Sequence, residues 1–402
     1  MHLLLIHQNF PGQFRDLAPA WLNSGHRVTA IGSTAEAPSG LQWEGLRYLQ
    51  YQFEQEPSQL ERGLAVARLV QQLINQDRPP DLVMSHSAWG EALCLKRVCR
   101  DLPWISYPEL WGNPRSLGFG FDQSLNGFSP NTTCFSSANL ITELSLLQAS
   151  AAVIASRCQL LSFPRCLQQR LTLLPEGVDL QRIKPDPSAC LAIPELGLEF
   201  KAGQPLVTFI ARDLEPLRGL RQLMRAWPLV SQTLPEAQLV LVGGRGQGYG
   251  LKPPRGKDHL EDALEELPET TCRGNIHCLG TLPHQKMLKL LQCSACHVAL
   301  SYPYTLSWSV LEALACAAPI ISNPDSPIAV ELQEEAHKIL LMTPFNDTKR
   351  LTNSILELLQ SPQKAQALGA AGRSWLERKG GIDRAIQEYE RLFKRVREQV
   401  IT

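Results

Sequence analysis

Short unbroken apolar runs alternate along this chain with longer stretches in which apolar residues recur at helical spacing. The first have the length of buried strands and the second that of amphipathic helices. The pattern therefore predicts parallel sheets with helices on both faces. Leu3 to His7 opens as a strand and runs into a polar turn, Gln8-Asn9-Phe10-Pro11-Gly12. Phe14, Leu17, Ala18, Trp21 and Leu22 then share one helical face, Gly25 supplies a stop, and Val28 to Ile31 returns as a second strand. This βαβ opening has a glycine where strand meets helix but lacks the GxGxxG spacing of a dinucleotide fingerprint. A helix is predicted over Leu60 to Asn75, and further strands over Leu82 to Met84, Trp104 to Tyr107, Ala151 to Ala155 and Leu171 to Leu174. Another helix is expected after Trp89-Gly90-Glu91.

The composition shifts near Lys184-Pro185-Asp186-Pro187, and the stretch from there to Gly203-Gln204-Pro205 reads as an irregular linker. Beyond it a similar order of parts restarts. Leu206 to Ala211 is a strand, Leu220 to Val230 a helix with a kink at Pro228, and Gln238 to Val242 a strand ending in Gly243-Gly244. With 402 residues, two domains of ordinary size are expected: an N-terminal one over 1–185 and a C-terminal one over 200–378. Ile382, Ile386, Tyr389, Phe393, Val396 and Val400 keep helical spacing, so a last helix over 379–402 has an apolar face that must be covered.

Composition narrows the setting. Lys plus Arg and Asp plus Glu both total 39, so no general polyanion-binding surface and no nucleic-acid partner is expected. The opening apolar run has no basic lead and no small-residue cleavage site, and no window approaches the ~18 apolar residues of a membrane span. Eleven cysteines without a secretory signal read as reduced thiols in a cytoplasmic protein. In that setting the sequon Asn131-Thr132-Thr133 stays idle. Cys293-Ser294-Ala295-Cys296-His297 spells CxxCH, but it spans a helix end and a strand start, so buried thiols are expected and not haem or zinc.

Three places carry candidate chemistry. Arg212 and Arg218 flank a loop between a buried strand and a helix, with Gly219 beside the second, a suitable grip for a diphosphate. Solvated loop arginines are the plainer reading. Tyr304 to Glu312 follows the strand at Val298, and Ser307 and Ser309 suit a helix start, whose free N–H groups attract phosphate oxygens. Glu312, one to two turns in, could accept hydrogen bonds from a ribose diol or merely favour the helix dipole. His86, just past a strand end beside Ser85, Ser87 and Gly90, is either a cleft residue or a satisfied structural group.

These residues resemble family 4 of the retaining glycosyltransferases, in the subgroup that begins with an HQNFPGQF run, here His7 to Phe14. Further matches are Pro80-Asp81-Leu82 with His86 and Trp89-Gly90-Glu91, Glu176-Gly177-Val178-Asp179, Ala211-Arg212 to Arg218-Gly219, and Ser301-Tyr302-Pro303 to Leu311-Glu312-Ala313. The resemblance runs over essentially the whole chain. It implies a GT-B fold: two Rossmann-like domains facing across a cleft, with the last helix returning to the N-terminal domain. It also implies transfer of a sugar from a UDP- or GDP-linked donor to an acceptor hydroxyl with retention, without a bound metal or other cofactor. Arg212 and Arg218 match the cations that hold the donor diphosphate. Thr305, Leu306, Ser307 and Trp308 match the loop whose amides approach it, and Glu312 matches the carboxylate on the donor ribose. His86 matches the histidine near the reacting centre, and Gly12 the turn glycine that leaves room for substrate. The implied acceptor is a carbohydrate, a lipid-linked sugar or a small molecule, and peripheral membrane contact is allowed. Two departures stand out: Tyr304 replaces a glutamate of the family, and Glu334-Glu335-Ala336-His337 replaces its glycine turn. A catalytically silent binding protein, or another GT-B enzyme such as a sugar-nucleotide epimerase, is the alternative.

Overall fold

The computed structural model describes residues 1–33, 43–76, 79–125, 133–253 and 256–401. The sequon at Asn131-Thr132 falls outside them. The chain divides into two compact units. The first comprises the described residues of Met1–Gly112, Asn131–Asp179 and Gly380–Thr402, and the second those of Asn113–Pro130 and Leu180–Lys379.

In the first unit seven strands lie in one sheet. They are β1 (His2–Ile6), β2 (Arg27–Gly32), β3 (Leu46–Gln50), β4 (Leu82–His86), β5 (Trp104–Tyr107), β6 (Ala151–Ile154) and β7 (Leu171–Leu173). The order is β3-β2-β1-β4-β5-β6-β7, with every pairing parallel. Leu3, Leu4, Leu5 and Ile6 are all fully buried, because a parallel sheet is covered by helices on both faces. Leu3 and Leu5 belong to one core, with Phe14, Trp21 and Val28, while Leu4 and Ile6 belong to another, with Val66 and Val70. The helix Gln59–Asn75 begins in a capping box, in which Ser58 accepts from Glu61 N–H and Glu61 accepts from Ser58 N–H. The helix expected after Glu91 shrinks to one turn, Leu95–Val98.

The last helix, Ile382–Ile401, belongs to this first unit. Tyr389 and Phe393 are fully buried, with ring centroids 5.5 and 5.3 Å from Trp21. His26 Nε2 meets Glu390 Oε1 at 2.7 Å on the rim of that contact. Its apolar stripe is thus covered by the helix that follows β1.

The second unit holds six parallel strands: β10 (Leu206–Asp213), β11 (Gln238–Gly244), β12 (Ile276–Cys278), β13 (Cys296–Val298), β14 (Ile320–Ser322) and β15 (Leu340–Met342), in the order β12-β11-β10-β13-β14-β15. Counted from its own first strand, this is the order of the first unit less one edge strand. Two expectations about boundaries need correction. The presumed linker contains an antiparallel hairpin, β8 (Cys190–Ile193) and β9 (Leu198–Lys201), turned by Gly197 at φ +63°. Its Leu191, Ile193 and Phe200 pack against Leu206, Val240 and Leu290, so the second unit starts before 200 and indeed before 185.

The segment Asn113–Leu125, expected inside the first domain, also belongs to the second unit. Tyr302 Oη donates to Asp122 Oδ2 at 2.6 Å with both groups buried, and Asn346 Nδ2 donates to the Phe121 carbonyl. Phe121 packs on the rings of Tyr302 and Phe345, and Arg115 pairs with Asp325 at 2.9 Å. The Tyr302 ring also fills the place of a side chain at Gly118, whose φ is +94°. Burial and the Asp122 charge push the Tyr302 hydroxyl well above its ordinary pKa, so it stays a donor. None of the described helices is long and apolar enough to cross a membrane.

Candidate functional site

In each sheet the strand order reverses beside the first strand, between β1 and β4 and between β10 and β13. Such switch points, at the carboxyl ends of the strands, are where open α/β sheets form ligand sites. In each unit the candidate residues of that unit lie at its own switch point.

In the second unit Arg212 lies at the end of β10 and Arg218 in the turn Pro216–Arg218 that follows. Arg218 Nη1 donates to Ser301 Oγ at 3.0 Å and to the Thr305 carbonyl at 3.1 Å. Both partners belong to the loop after β13, so the guanidinium ties the two strand ends of the switch point together. Gly219, at φ +81°, meets the Leu300 side chain where a Cβ would stand, which lets this turn sit close to the loop. Arg212, whose side chain is 69 % exposed, donates to Tyr249 Oη and lies 5.2 Å from the centre of that ring. Arg218 lies 5.9 Å from the Tyr304 ring, and the two tyrosine rings are 5.8 Å apart. Tyr304 thus joins a cluster of two arginines and two tyrosines.

Sequence reasoning gave no role to the residues that hold this cluster. Buried Glu215 accepts from the amides of Tyr249 and Gly250 at 3.1 and 2.9 Å, and Asp213 accepts from Gly246 N–H at 3.0 Å. Together they fold the glycine-rich loop after β11 back over β10. Burial pushes the Glu215 carboxyl up, against the pull of those two amides. The signal was present in the loop's closely spaced glycines, since a Cβ at Gly248 would collide with Glu215.

A pocket opens beside Arg218, lined by Ile210, Ser301, Leu306, Ser307 and Val310 among others. Ser307 is the N-cap of the helix Trp308–Ala315, although its hydroxyl bonds to Ser309 Oγ and not to the helix amides. Glu312 is buried inside the helix's second turn, and His284 Nε2 meets its Oε1 at 2.8 Å. His284 starts the neighbouring helix, His284–Cys293, and carried no signal in the sequence. Cys293 and Cys296 are buried thiols, as expected from their place between that helix and β13. The Glu334 to His337 stretch forms helical turns after Gln333 at φ +52°.

In the first unit His86 is the last residue of β4 and is buried. Its ring stacks on Trp89 at 4.1 Å and meets His7 edge-on at 5.0 Å. His86 Nε2 has no hydrogen-bond partner among the described residues and lies 3.6 Å from Glu109 Oε2. Gly12 has φ +46°, and a Cβ there would fall 2.2 Å from His7 Nε2. In this unit, then, the room that Gly12 leaves is filled by a histidine ring. Burial holds His7 neutral, with its pKa lowered to about 3 and the nearby His86 acting in the same direction. Glu91, expected only as part of a motif, is buried and accepts from Tyr51 Oη at 2.6 Å.

Comparison with known proteins fits this geometry. A glycosyl transferase family 4 group model matches residues 24–183, and a glycosyl transferases group 1 model matches residues 197–375. Among solved structures, a sucrose-phosphate synthase from Thermosynechococcus elongatus superimposes with a TM-score of 0.73 at 18 % identity, covering 98 % of this chain and 99 % of that one. The Anabaena protein HepE, in complex with UDP and glucose, gives a TM-score of 0.71 at 18 % identity over the same shares. The fold is GT-B, and each half of the chain matches a glycosyltransferase family model. Its curated relatives include a GDP-mannose-dependent monoacylated alpha-(1-6)-phosphatidylinositol monomannoside mannosyltransferase from Corynebacterium glutamicum, 29 % identical over 213 residues. A GDP-mannose-dependent alpha-(1-6)-phosphatidylinositol monomannoside mannosyltransferase from Mycobacterium tuberculosis is 30 % identical over 209 residues. The match spans 51 % of this chain and 51 % of each of these relatives.

Proposed function

We propose that the chain transfers a sugar from a UDP- or GDP-linked donor to an acceptor hydroxyl, with retention at the anomeric carbon and without a metal or other cofactor. The observation that carries this reading is Arg218, pinned by Ser301 and Thr305 beside a pocket at the start of the helix Trp308–Ala315. When the anomeric C–O bond breaks, negative charge gathers on the leaving diphosphate. Arg212 and Arg218, with the amides of the Thr305-Leu306-Ser307-Trp308 loop, supply fixed positive potential for that charge. Glu312 takes the donor ribose, while His86 and the Gly12 turn serve the acceptor and the reacting sugar. Relatives named as GDP-mannose-dependent phosphatidylinositol monomannoside mannosyltransferases support a lipid-linked acceptor with peripheral membrane contact. A cytoplasmic role in glycoconjugate or polysaccharide synthesis, with a carbohydrate or small molecule as the other acceptor classes, completes the reading.

The test is thermal unfolding with UDP and GDP at millimolar concentration, followed by a panel of nucleotide sugars. A ligand of the native state raises the melting temperature, and Arg212→Ala and Arg218→Ala should each reduce that rise. The anomeric proton coupling of the product, read by NMR, decides retention. Binding without transfer or hydrolysis across the panel would favour a silent binding protein, for which Tyr304 is the supporting departure. No shift with either nucleotide would overturn the donor site itself.

A further inference from the structure

Glu312 is part of a longer chain of contacts. Its side chain is only 2 % exposed, while that of its partner His284 is 34 % exposed. The other ring nitrogen of His284, Nδ1, lies 3.4 Å from Nη1 of Arg182. A guanidinium nitrogen can only donate, so Nδ1 accepts and carries no proton. The ring proton then sits on Nε2, which faces Glu312 at 2.8 Å. A carboxylate can only accept, so both ends of the chain demand the same arrangement: Arg182 donates to a neutral imidazole, and the imidazole donates to Glu312.

We infer that His284 is a positioning residue for the ribose carboxylate. It donates from Nε2 to Glu312 Oε1 and turns the carboxylate so that its remaining lone pairs meet the vicinal hydroxyls of the donor ribose. Arg182 holds the imidazole in the tautomer that does this. The inference rests on the nucleotide-donor reading, because ribose recognition gives the relay its use. A carboxylate has about four lone-pair sites, so the bond from His284 alone does not exhaust it. Fixing the rotamer of a long side chain before the ligand arrives lowers the ordering cost of binding. A tie that merely packed the helix His284–Cys293 on the helix Trp308–Ala315 would change stability and leave ligand discrimination alone.

The experiment compares UDP and GDP with their 2′-deoxy counterparts by calorimetric titration. The full-length wild type, His284→Ala, His284→Gln and Arg182→Met are measured, each checked for folding by its melting temperature. The wild type should prefer the ribonucleotide. His284→Ala should weaken ribonucleotide binding by roughly tenfold and leave the deoxy form within about twofold, so the preference collapses. His284→Gln, whose amide can donate to the same oxygen, should restore most of the preference, with Arg182→Met falling between. Equal loss for ribo and deoxy forms, or an unchanged ratio in His284→Ala, overturns the inference while leaving the donor reading intact. If the wild type binds neither UDP nor GDP, the donor reading fails first and this inference falls with it.

Discussion

At its switch point the first unit packs the buried rings of His7 and His86 with the half-buried ring of Trp89 beside Gly12, whereas the second sets Arg212 and Arg218 against two tyrosines beside a pocket. The strand order around both points is the same, so the backbone framework does not explain the difference. The loops do. In the first unit a glycine lets one histidine ring lie where a side chain would stand, and burial beside His86 keeps that ring uncharged. In the second, buried Glu215 and half-buried Asp213 spend acceptor capacity on backbone amides and fasten a glycine-rich loop whose Tyr249 meets Arg212. One edge is organised by shape and the other by charge.

The contrast can be broken in order of expected effect. Arg218→Ala should weaken UDP or GDP binding on the order of a hundredfold, since it removes a charge and the tie to Ser301 and Thr305 together. A loss below threefold by titration calorimetry would mean that charge does not organise the second edge. Gly12→Ala should cost about 2–3 kcal/mol in denaturant unfolding, through its positive φ and its clash with His7. Adding His7→Ala should recover part of that cost, because the obstructing ring is gone; no recovery would argue against shape as the cause.

Acid sharpens the comparison further. The His7 site binds a proton near pH 6.5 when unfolded but only near pH 3 when folded. Between those values the unfolded state holds the extra proton, so this group's contribution to stability is intact above 6.5 and is lost as pH falls. The slope should reach about 1.4 kcal/mol per pH unit and flatten in His7→Phe. Histidine ring NMR should find His7 neutral at pH 5. The smallest effect belongs to Arg212→Ala, which should leave unfolding within about 0.5 kcal/mol because the side chain is largely exposed, while still weakening nucleotide binding.

Much of the fold was legible because parallel strands buried on both faces must be written as unbroken apolar runs: Leu3 to Ile6, Leu82 to Met84 and Gln238 to Val242 all lie within strands of the structure. The elements that escaped notice have weaker codes. β3 is half-buried throughout and mixes Arg47 and Gln50 with Leu46 and Tyr48, so no pattern marks it. The hairpin β8–β9 alternates buried and exposed residues over only four positions per strand, too few to stand out beside the prolines that flank it. At the site, Arg212, Arg218 and Glu312 announced themselves by their place at strand ends and a helix start. His284 and Glu215 did not, because their partners lie 28 and 34 or 35 positions away in sequence and only the folded sheet brings them together.

Two of the segments that return the chain from one unit to the other also bear on how the protein is made. As the ribosome emits it, the stretch 113–125 appears before most of the surface it belongs to, and Tyr302 and Phe345 follow much later. The first unit must likewise wait for Tyr389 and Phe393 before Trp21 is covered. Neither unit can finish folding on the nascent chain in the usual N-terminal-first manner. The second unit closes only after the residues up to Lys379 have left the exit tunnel, and the first only after residues 382–401 have; until its own unit closes, each of Trp21 and the Asp122 segment is a natural holding point for a chaperone.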